Sequence, residues 1–146
     1  MENEVKIRDY QSGDFEQLFH LWLETGQWTS ERADNEYIIE NTLRLGGKLL
    51  VLEHAATKII AGAAWLTTDG RRINLHHFAV NPQFQGRGLG HRLAKECIAF
   101  AKDMGMQIKL EVHKENVHAI SLYEKYGFKY LGDYQVFIVR EIEYLG

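Results

Sequence analysis

The chain has 146 residues, of which 45% are hydrophobic and 25% are charged, and its formal net charge at pH 7 is −3. This length suits one domain with a packed core, and the composition is that of a globular protein, not a disordered one. The slight negative charge disfavours a nucleic-acid partner, because such a partner needs a strong positive field.

The N-terminal third of the chain predicts a strand followed by two helices. The strand covers residues 4–8. Apolar residues at steps of three and four predict a helix over 12–25, which Ser12 or Asp14 would cap. A second helix is predicted over 30–45, because a glycine pair follows it.

The middle of the chain predicts three strands and then a glycine-rich turn. The strands cover 48–53, 59–68 and 72–80. Asp69 and Gly70 between the last two are a strong hairpin signal. The glycine-rich stretch 85–90 follows the third strand and opens a helix predicted over 89–104.

The remaining residues complete an α/β pattern. Residues 107–113 alternate apolar and polar side chains, which predicts a half-buried strand. Asn116 would cap a short helix that ends at Gly127. Two final strands, 128–133 and 135–142, are predicted to form a terminal hairpin. This order places a mixed sheet of about seven strands between about four helices, in one domain over 1–146.

The glycine-rich turn predicts a phosphate-binding site. Glycines let the main chain approach a bulky anion, the N–H groups of a helix's first turn attract phosphate oxygens, and Arg87 and Arg92 add positive charge. A tight turn with no ligand is the simpler alternative. A Rossmann site is disfavoured because position 91 is His, and a Walker A loop because Gly-Lys-Ser/Thr is absent.

The same turn resembles the Gln/Arg-x-x-Gly-x-Gly/Ala signature of the GNAT acetyltransferase superfamily, and the strand before it resembles the family's strand. The resemblance implies that the turn binds the pyrophosphate of coenzyme A, and that the strand's main chain pairs with the pantetheine arm and the acetyl carbonyl. By position, the implied cofactor-binding residues are Phe78, Ala79, Val80, Gln85, Gly86, Arg87, Gly88, Leu89 and Gly90. His91 joins them, at a position where the family often has Arg or Lys.

Residues 116–128 resemble the family's second block, Asn-x-x-Ala-x-x-x-Tyr-x-x-x-Gly-Phe, at every fixed position. The resemblance implies that Asn116 contacts the pantetheine and that Tyr123 is the general acid, which protonates the departing coenzyme A thiolate. From the residues alone, Tyr123 is better interpreted as an aromatic that packs from its helix into the core.

Acetylation of an amine also needs a base, because an ammonium has no lone pair with which to attack. Histidine suits this role, since its ordinary pKa lies near neutral pH. Alternation along the strand predicts that His76 and Phe78 share one face. Arylalkylamine N-acetyltransferases, which this segment resembles, carry a histidine two residues before the position of Phe78. His76 is therefore the candidate base, with Glu111 and water as alternatives.

The acceptor side is the least defined part of the predicted site. In the superfamily the loop between the first two helices lines it, and in this chain Trp28 lies there as a candidate wall for an apolar or cationic substrate. The acidic residues Glu24, Glu31 and Asp34 would attract an ammonium, although they are also typical of a solvated rim.

Metal and compartment predictions follow from the residue types. A zinc site at His76, His77 and His113 is disfavoured, because no cysteine or carboxylate accompanies them at ligand spacing. Cys97 is the only cysteine, which excludes an intrachain disulfide. The N-terminus has no apolar run typical of secretion signals, and no stretch of about 18 apolar residues occurs. We expect a cytoplasmic protein with no metal and no membrane partner.

These features together favour an enzyme that transfers the acetyl group of acetyl-coenzyme A, its cosubstrate, directly to a primary amine of a small molecule or peptide. The chain is compatible with a homodimer. A non-catalytic acyl-coenzyme A sensor or scaffold is the alternative from another class, and a generic nucleotide-phosphate binder is a third interpretation.

Overall fold

A computed structural model describes residues 4–27 and 34–144. The strands are β1 (Val5–Asp9), β2 (Lys48–His54), β3 (Ile60–Thr68), β4 (Arg72–Val80) and β5 (Gln107–Leu110). The helices are α1 (Phe15–Glu24), α2 (Glu36–Arg44), α3 (Leu89–Met104) and α4 (Val117–Lys125). Short 3-10 turns occur at Pro82–Phe84 and Ile142–Tyr144. No helix in the described ranges is long and apolar enough to cross a membrane.

The described strands form one mixed sheet in the order β1-β2-β3-β4-β5. The first four strands pair antiparallel, and β5 runs parallel to β4 because α3 crosses over between them. The predicted hairpin between β3 and β4 is confirmed. The Asp69 carboxylate accepts hydrogen bonds from the main-chain N–H groups of Arg71 and Arg72, and Gly70 has a φ of +85°.

The sheet has helices on both faces, and the alternation of β2 shows how the sequence produces this. Leu49 and Val51 point to the face that α1 and α2 cover, where Trp22 is fully buried. Leu50 and Leu52 point to the opposite face, where they pack with the apolar stripe of α3 and with Tyr123 of α4. Both faces of the sheet carry apolar side chains, so each face needs a layer of helices to exclude water.

Helix α3 has the bounds that the sequence predicts, because glycines in the left-handed conformation stand at both ends. Gly88 precedes it with a φ of +75°, and Gly105 ends it with a φ of +67°. The second helix begins later than the predicted residue 30. Asn35 is its N-cap, since its side chain accepts a hydrogen bond from the main-chain N–H of Ile38. Residues 30–33 of that prediction lie outside the described residues.

The predicted sheet of about seven strands is wrong for the described residues, which form five. The strand predicted over 107–113 ends at Leu110, where its pairing with β4 ends. The two strands predicted over 128–142 are absent, because no other described strand pairs with them. A strand needs hydrogen bonds from a neighbour, which an alternating sequence cannot supply by itself.

Candidate active site

The glycine-rich turn lies between the 3-10 turn at Pro82–Phe84 and the first turn of α3. Gly86 and Gly88 have φ angles of +81° and +75°, in the left-handed region that glycine adopts at little cost. Gly88 is the N-cap residue of α3, and it provides no capping side chain. The first N–H groups of α3 are therefore open to an anion, as the sequence predicts.

An open groove of about 470 Å³ lies beside the turn, a volume typical of small-molecule sites. Its lining residues are Val80, Phe84, Gln85, Gly86, Gly88, Leu89, Gly90, His91 and Leu122. The fold thus brings most of the predicted cofactor-binding residues to one surface. Phe84 and Leu122 line it as well, and the sequence analysis assigned them no role there.

The two arginines near the turn behave differently. The guanidinium of Arg87 lies 4.9 Å from the centre of the Phe84 ring, which places its charge beside the groove. The guanidinium of Arg92 is held at β1, and not against the Phe84 ring that Arg87 contacts. Its Nη1 donates a hydrogen bond of 2.9 Å to the main-chain oxygen of Val5, because its position on α3 faces β1.

The side of the groove toward α4 is held by His91. Its Nδ1 lies 2.8 Å from the Tyr126 hydroxyl, within hydrogen-bond distance. This bond links the first turn of α3 to the end of α4. The ring of His91 is therefore positioned by the protein beside the groove that it lines.

A slot opens in the sheet where β4 and β5 separate. Their pairing covers Arg72–Leu75 and Gln107–Leu110 only, whereas β4 continues to Val80. The β5 side of β4 is consequently unpaired over residues 76–80, within the part of the chain that the structure describes. Only the short 3-10 turn at Pro82–Phe84 separates this unpaired edge from the glycine-rich turn.

Main-chain groups of β4 face this slot. The N–H of Asn81 donates to Ala61 on β3, so by alternation Phe78 and Val80 direct their main-chain groups away from β3. The Phe78 oxygen accepts a hydrogen bond of 2.7 Å from the Gln27 side chain, and the Val80 oxygen accepts one of 3.4 Å from Gln85. The N–H groups of Phe78 and Val80 are then the donors that the slot offers.

A β-bulge interrupts β4 beside the slot. Trp65 of β3 pairs with His76 and Ala63 pairs with Ala79, so β4 carries one extra residue between them. His77 has a φ of +35°, which is uncommon for a residue with a side chain. The bulge places His76 and Phe78 on opposite faces, because Phe78 packs with the α3 and α4 cluster and His76 contacts Trp65. The predicted shared face is therefore wrong.

Tyr123 lies on the α3 and α4 side of the sheet, next to Phe78. Its ring meets the rings of Phe78 and Phe128 edge-on, at centroid distances of 5.5 and 5.6 Å. It is 8% exposed, and burial raises the pKa of its hydroxyl to about 12. The phenol therefore keeps its proton at neutral pH, as a general acid must. Asn116 caps α4 through a hydrogen bond from the main-chain N–H of Ala119 to its side-chain oxygen.

The two candidate bases lie near each other. His76 Nε2 is 2.7 Å from the Thr67 hydroxyl. Burial lowers the pKa of His76 below 6.5 and the neighbouring His77 lowers it further, while Asp34 and then Glu111 oppose the shift. The imidazole is therefore mainly neutral at pH 7, as a base requires. Glu111 follows β5 and is exposed.

The sequence analysis missed a second polar pair at the bulge. His77 Nε2 and Asp34 Oδ2 are 2.7 Å apart, with side chains only 9% and 16% exposed. The His77 ring packs against Trp22 and Trp65, at centroid distances of 4.7 and 5.3 Å. Regular alternation from Ala79 also places His77 on the face of Trp65. The bulge is what places His76 on that face together with His77. His77 and Asp34 are far apart in the sequence, so no local pattern could have predicted their contact.

Part of the predicted acceptor side lies outside the described residues, including Trp28 and Glu31. Glu24, at the end of α1, is exposed. In the described ranges no group of three or more His, Cys, Asp or Glu side chains could hold a metal ion. Cys97 is buried, and burial raises the pKa of its thiol to about 12, so it is unsuited to act as a nucleophile.

Comparisons with known proteins agree with this geometry. The family model described as "Acetyltransferase (GNAT) family" matches residues 15–128. N-alpha-acetyltransferase RimI of Mycobacterium tuberculosis is 36% identical over 77 residues, 50% of this chain and 48% of that protein. An acetyltransferase of Yersinia enterocolitica is 29% identical over 86% of this chain and 88% of its own. Spermine/spermidine N(1)-acetyltransferase of Bacillus subtilis is 33% identical over 42% of each chain.

The matches to the first and third of these relatives cover 48% and 42% of those relatives' own lengths, less than half in each case. Solved structures show the same fold over most of the chain. An acetyltransferase from Streptococcus agalactiae superposes with a TM-score of 0.76 at 20% identity, covering 92% of this chain and 90% of its own. A GNAT family acetyltransferase from Elizabethkingia anophelis with acetyl-CoA bound superposes with a TM-score of 0.62 at 23% identity, covering 88% of this chain and 78% of its own.

Proposed function

The chain belongs to the acetyltransferase (GNAT) family, and on that premise we propose that it transfers the acetyl group of acetyl-coenzyme A to a primary amine. One observation carries the proposal. The unpaired edge of β4 is followed by a short 3-10 turn, the glycine-rich turn and the uncapped N-terminus of α3, and Tyr123 packs against Phe78 on that edge. This gives a strand-like binding slot, an anion site and a proton donor along one path.

The residues present fit acetyl-coenzyme A as the donor. The N–H groups at the start of α3 would hold the pyrophosphate, with the Arg87 guanidinium beside it. The main-chain groups of Phe78 and Val80 would hold the pantetheine, as a neighbouring strand would. The bound donor supplies an acetyl thioester, and an N–H of β4 would donate to its carbonyl oxygen.

The proposed proton donor and the proposed proton acceptor lie on opposite faces of the sheet. Tyr123, on the α3 and α4 face, donates a proton to the sulfur that leaves. His76, on the face of Trp65, is the proposed acceptor of the amine's proton, with Glu111 or water as alternatives. The amine must lose its proton before it attacks, so the neutral state of His76 at pH 7 supports this assignment.

The acceptor is proposed to be a cationic small molecule or a peptide amine. The relatives are named for a protein N-terminus and for spermine and spermidine, and all of these carry primary amines. Acidic side chains at the ends of α1 and α2, Glu24 and Glu36, would attract an ammonium. Trp28 is proposed as part of the acceptor wall.

A panel assay tests the proposal. The full chain is incubated with acetyl-coenzyme A and separate amines, including spermine, spermidine, glucosamine 6-phosphate, amino acids and peptides with free N-termini. We expect acceptor-dependent release of free coenzyme A thiol for at least one class, with Tyr123→Phe as the matched control. If acetyl-coenzyme A binds but no amine accelerates thiol release, the chain is a non-catalytic sensor or scaffold.

A further inference from the structure

The bulge in β4 is held in a backbone conformation that its own residue disfavours. His77 has a φ of +35°, in the region where a side chain crowds the neighbouring main chain. Strain of this kind persists only where the surrounding contacts determine the conformation. The bulge therefore depends on what the His77 side chain contacts in the rest of the fold.

Three side chains fix the ring of His77. Asp34, which directly precedes the N-cap of α2, has its Oδ2 2.7 Å from His77 Nε2. A carboxylate only accepts hydrogen bonds, so Nε2 is the donor and the orientation of the ring is set. Trp22 of α1 and Trp65 of β3 pack against the same ring. The bond is mostly buried, which makes it stronger than the same bond at the surface.

The residue after His77 is held from the other helix of this face. Gln27, which follows α1, donates a hydrogen bond of 2.7 Å from Nε2 to the main-chain oxygen of Phe78. The main-chain N–H of Gln27 donates to the oxygen of Trp22, also at 2.7 Å, which joins Gln27 to α1. The end of α1 and the start of α2 therefore contact β4 at two consecutive residues.

The groups of β4 that the proposed reaction uses lie at this bulge. The bulge places His76 on the face of α1 and α2, and the main chain of Phe78 borders the slot directly after it. Asp34 also acts on His76 through space, because its charge opposes the lowering of the His76 pKa by burial. The other groups that act on this pKa are His77, which lowers it, and Glu111, which raises it.

We propose that Asp34 is a positioning residue for acetyl transfer, which holds the β4 bulge through its hydrogen bond to His77. The bulge in turn sets the direction of His76 and of the N–H groups in the slot. This inference rests on the proposed function, because a positioned base serves a transfer reaction. A misplacement of about 1 Å can cost about a hundredfold in rate, so we expect a loss of that order in kcat/KM when the bond is removed.

The first test is steady-state kinetics with the acceptor found in the panel. Asp34→Ala and His77→Ala should each lower kcat/KM about a hundredfold, and the double variant should be close to either one, because both changes remove the same bond. Asp14→Ala is the matched control. Asp14 is a carboxylate of similar exposure, 12% against 16%, but it bonds Arg8 at the opposite end of α1 from Gln27. It should lower stability in chemical denaturation and keep the wild-type kcat/KM.

Two further variants separate the bond from the other effects of the pair. Glycine adopts a positive φ at little cost, so His77→Gly should keep the bulge better than His77→Ala and show about tenfold higher kcat/KM. Asp34→Asn keeps an oxygen that can accept from Nε2 but lacks the charge, so its kcat/KM should lie between those of the wild type and Asp34→Ala. Equal kcat/KM for the two His77 variants would contradict the inference. Circular dichroism checks that each variant is folded.

Nuclear magnetic resonance of the full chain provides a readout that needs no acceptor. In Asp34→Ala we expect shifted N–H resonances for Phe78 and Val80 and a lower pKa for His76, whereas Asp14→Ala should leave all three unchanged. If the wild type acetylates no amine, the proposed function fails, and these spectra still show whether Asp34 holds the bulge. Unchanged resonances and titration in Asp34→Ala, or an equal loss of kcat/KM in Asp14→Ala, would overturn the inference.

Discussion

Replacing Tyr123 by Phe removes one hydroxyl and leaves the ring in place. The ring contacts with Phe78 and Phe128 are made by carbon atoms, so they survive the substitution. The hydroxyl makes no hydrogen bond within the described residues. We therefore expect the free energy of unfolding to change by less than about 0.5 kcal/mol.

The expected effect on turnover is much larger. A thiolate expelled into a partly dry site would carry a charge with no compensation, which is costly. With a pKa of about 12, Tyr123 is protonated across the working pH range and can supply the proton. General acid catalysis contributes about 10²–10⁴-fold, equivalent to roughly 3–5 kcal/mol of barrier. We expect kcat to fall by that factor, and affinity for acetyl-coenzyme A to change little.

Steady-state kinetics with the acceptor found in the panel, combined with calorimetry of donor binding, measure both quantities. Tyr126→Phe is the matched control on the same helix. It removes the hydroxyl that bonds His91 and should lower stability by about 1 kcal/mol with little effect on kcat. A Tyr123→Phe variant with wild-type kcat would refute the assignment and leave Tyr123 as a packing residue.

Three further predictions concern the rest of the site. Arg87→Ala should weaken donor binding about ten- to a hundredfold. Arg92→Ala removes the guanidinium that bonds Val5, so it should lower stability and leave donor affinity nearly unchanged. Calorimetry measures the affinities and thermal melts the stabilities, and equal losses of affinity would contradict the geometry. Because the pKa of His76 is lowered, the histidine stays neutral until the pH falls below 6.5, so kcat/KM should decline only below that pH. His76→Ala should remove this limb of the profile, and an unchanged profile would assign the base to Glu111 or water. The unfolded chain takes up this proton at a higher pH, so protonation of His76 should also reduce stability as the pH drops below 6.5. Asp34→Asn replaces the carboxylate that bonds the His77 ring by an amide, and it should destabilise the protein by about 1–3 kcal/mol in chemical denaturation; no change would mean that the bond is not formed in solution.

The sequence predicted those elements whose bounds depend on residues close together in the chain. The bounds of α3 follow from left-handed glycines at its two ends, and the β3–β4 hairpin follows from Asp69 and Gly70. The groove at the glycine-rich turn was predictable for the same reason, because turn, helix start and glycines are contiguous in the chain. The roles of Tyr123 and Asn116 came from resemblance to a family, and they stay predictions.

The bulge in β4 could not be predicted, because it depends on how β4 pairs with β3. A period of two assigns His76 to the face of Phe78, and one extra residue in the strand reverses this. The contact between His77 and Asp34 has the same origin, since it forms only after α1 and α2 dock on the sheet. The face on which His76 lies and the contact between His77 and Asp34 therefore both depend on tertiary structure.

The prediction of two strands over 128–142 was wrong for a different reason. Residues 134–139 have a strong strand composition, but a strand also needs a neighbour with free N–H and carbonyl groups. In the described chain residues 134–139 pair with no strand, although the outer edge of β5 is free. The composition thus predicts a tendency to pair, but it does not determine that a strand forms.

A single-turnover experiment with an isotopically labelled acetyl group distinguishes direct transfer to the amine from a route through an acetylated protein. The full chain is mixed with one equivalent of labelled acetyl-coenzyme A and an excess of amine, and the products are analysed by mass spectrometry. We expect the label to move to the amine nitrogen without appearing on the protein, since the buried Cys97 is unsuited to carry it. A label that accumulates on the protein, or that never leaves coenzyme A with any amine tested, would contradict it.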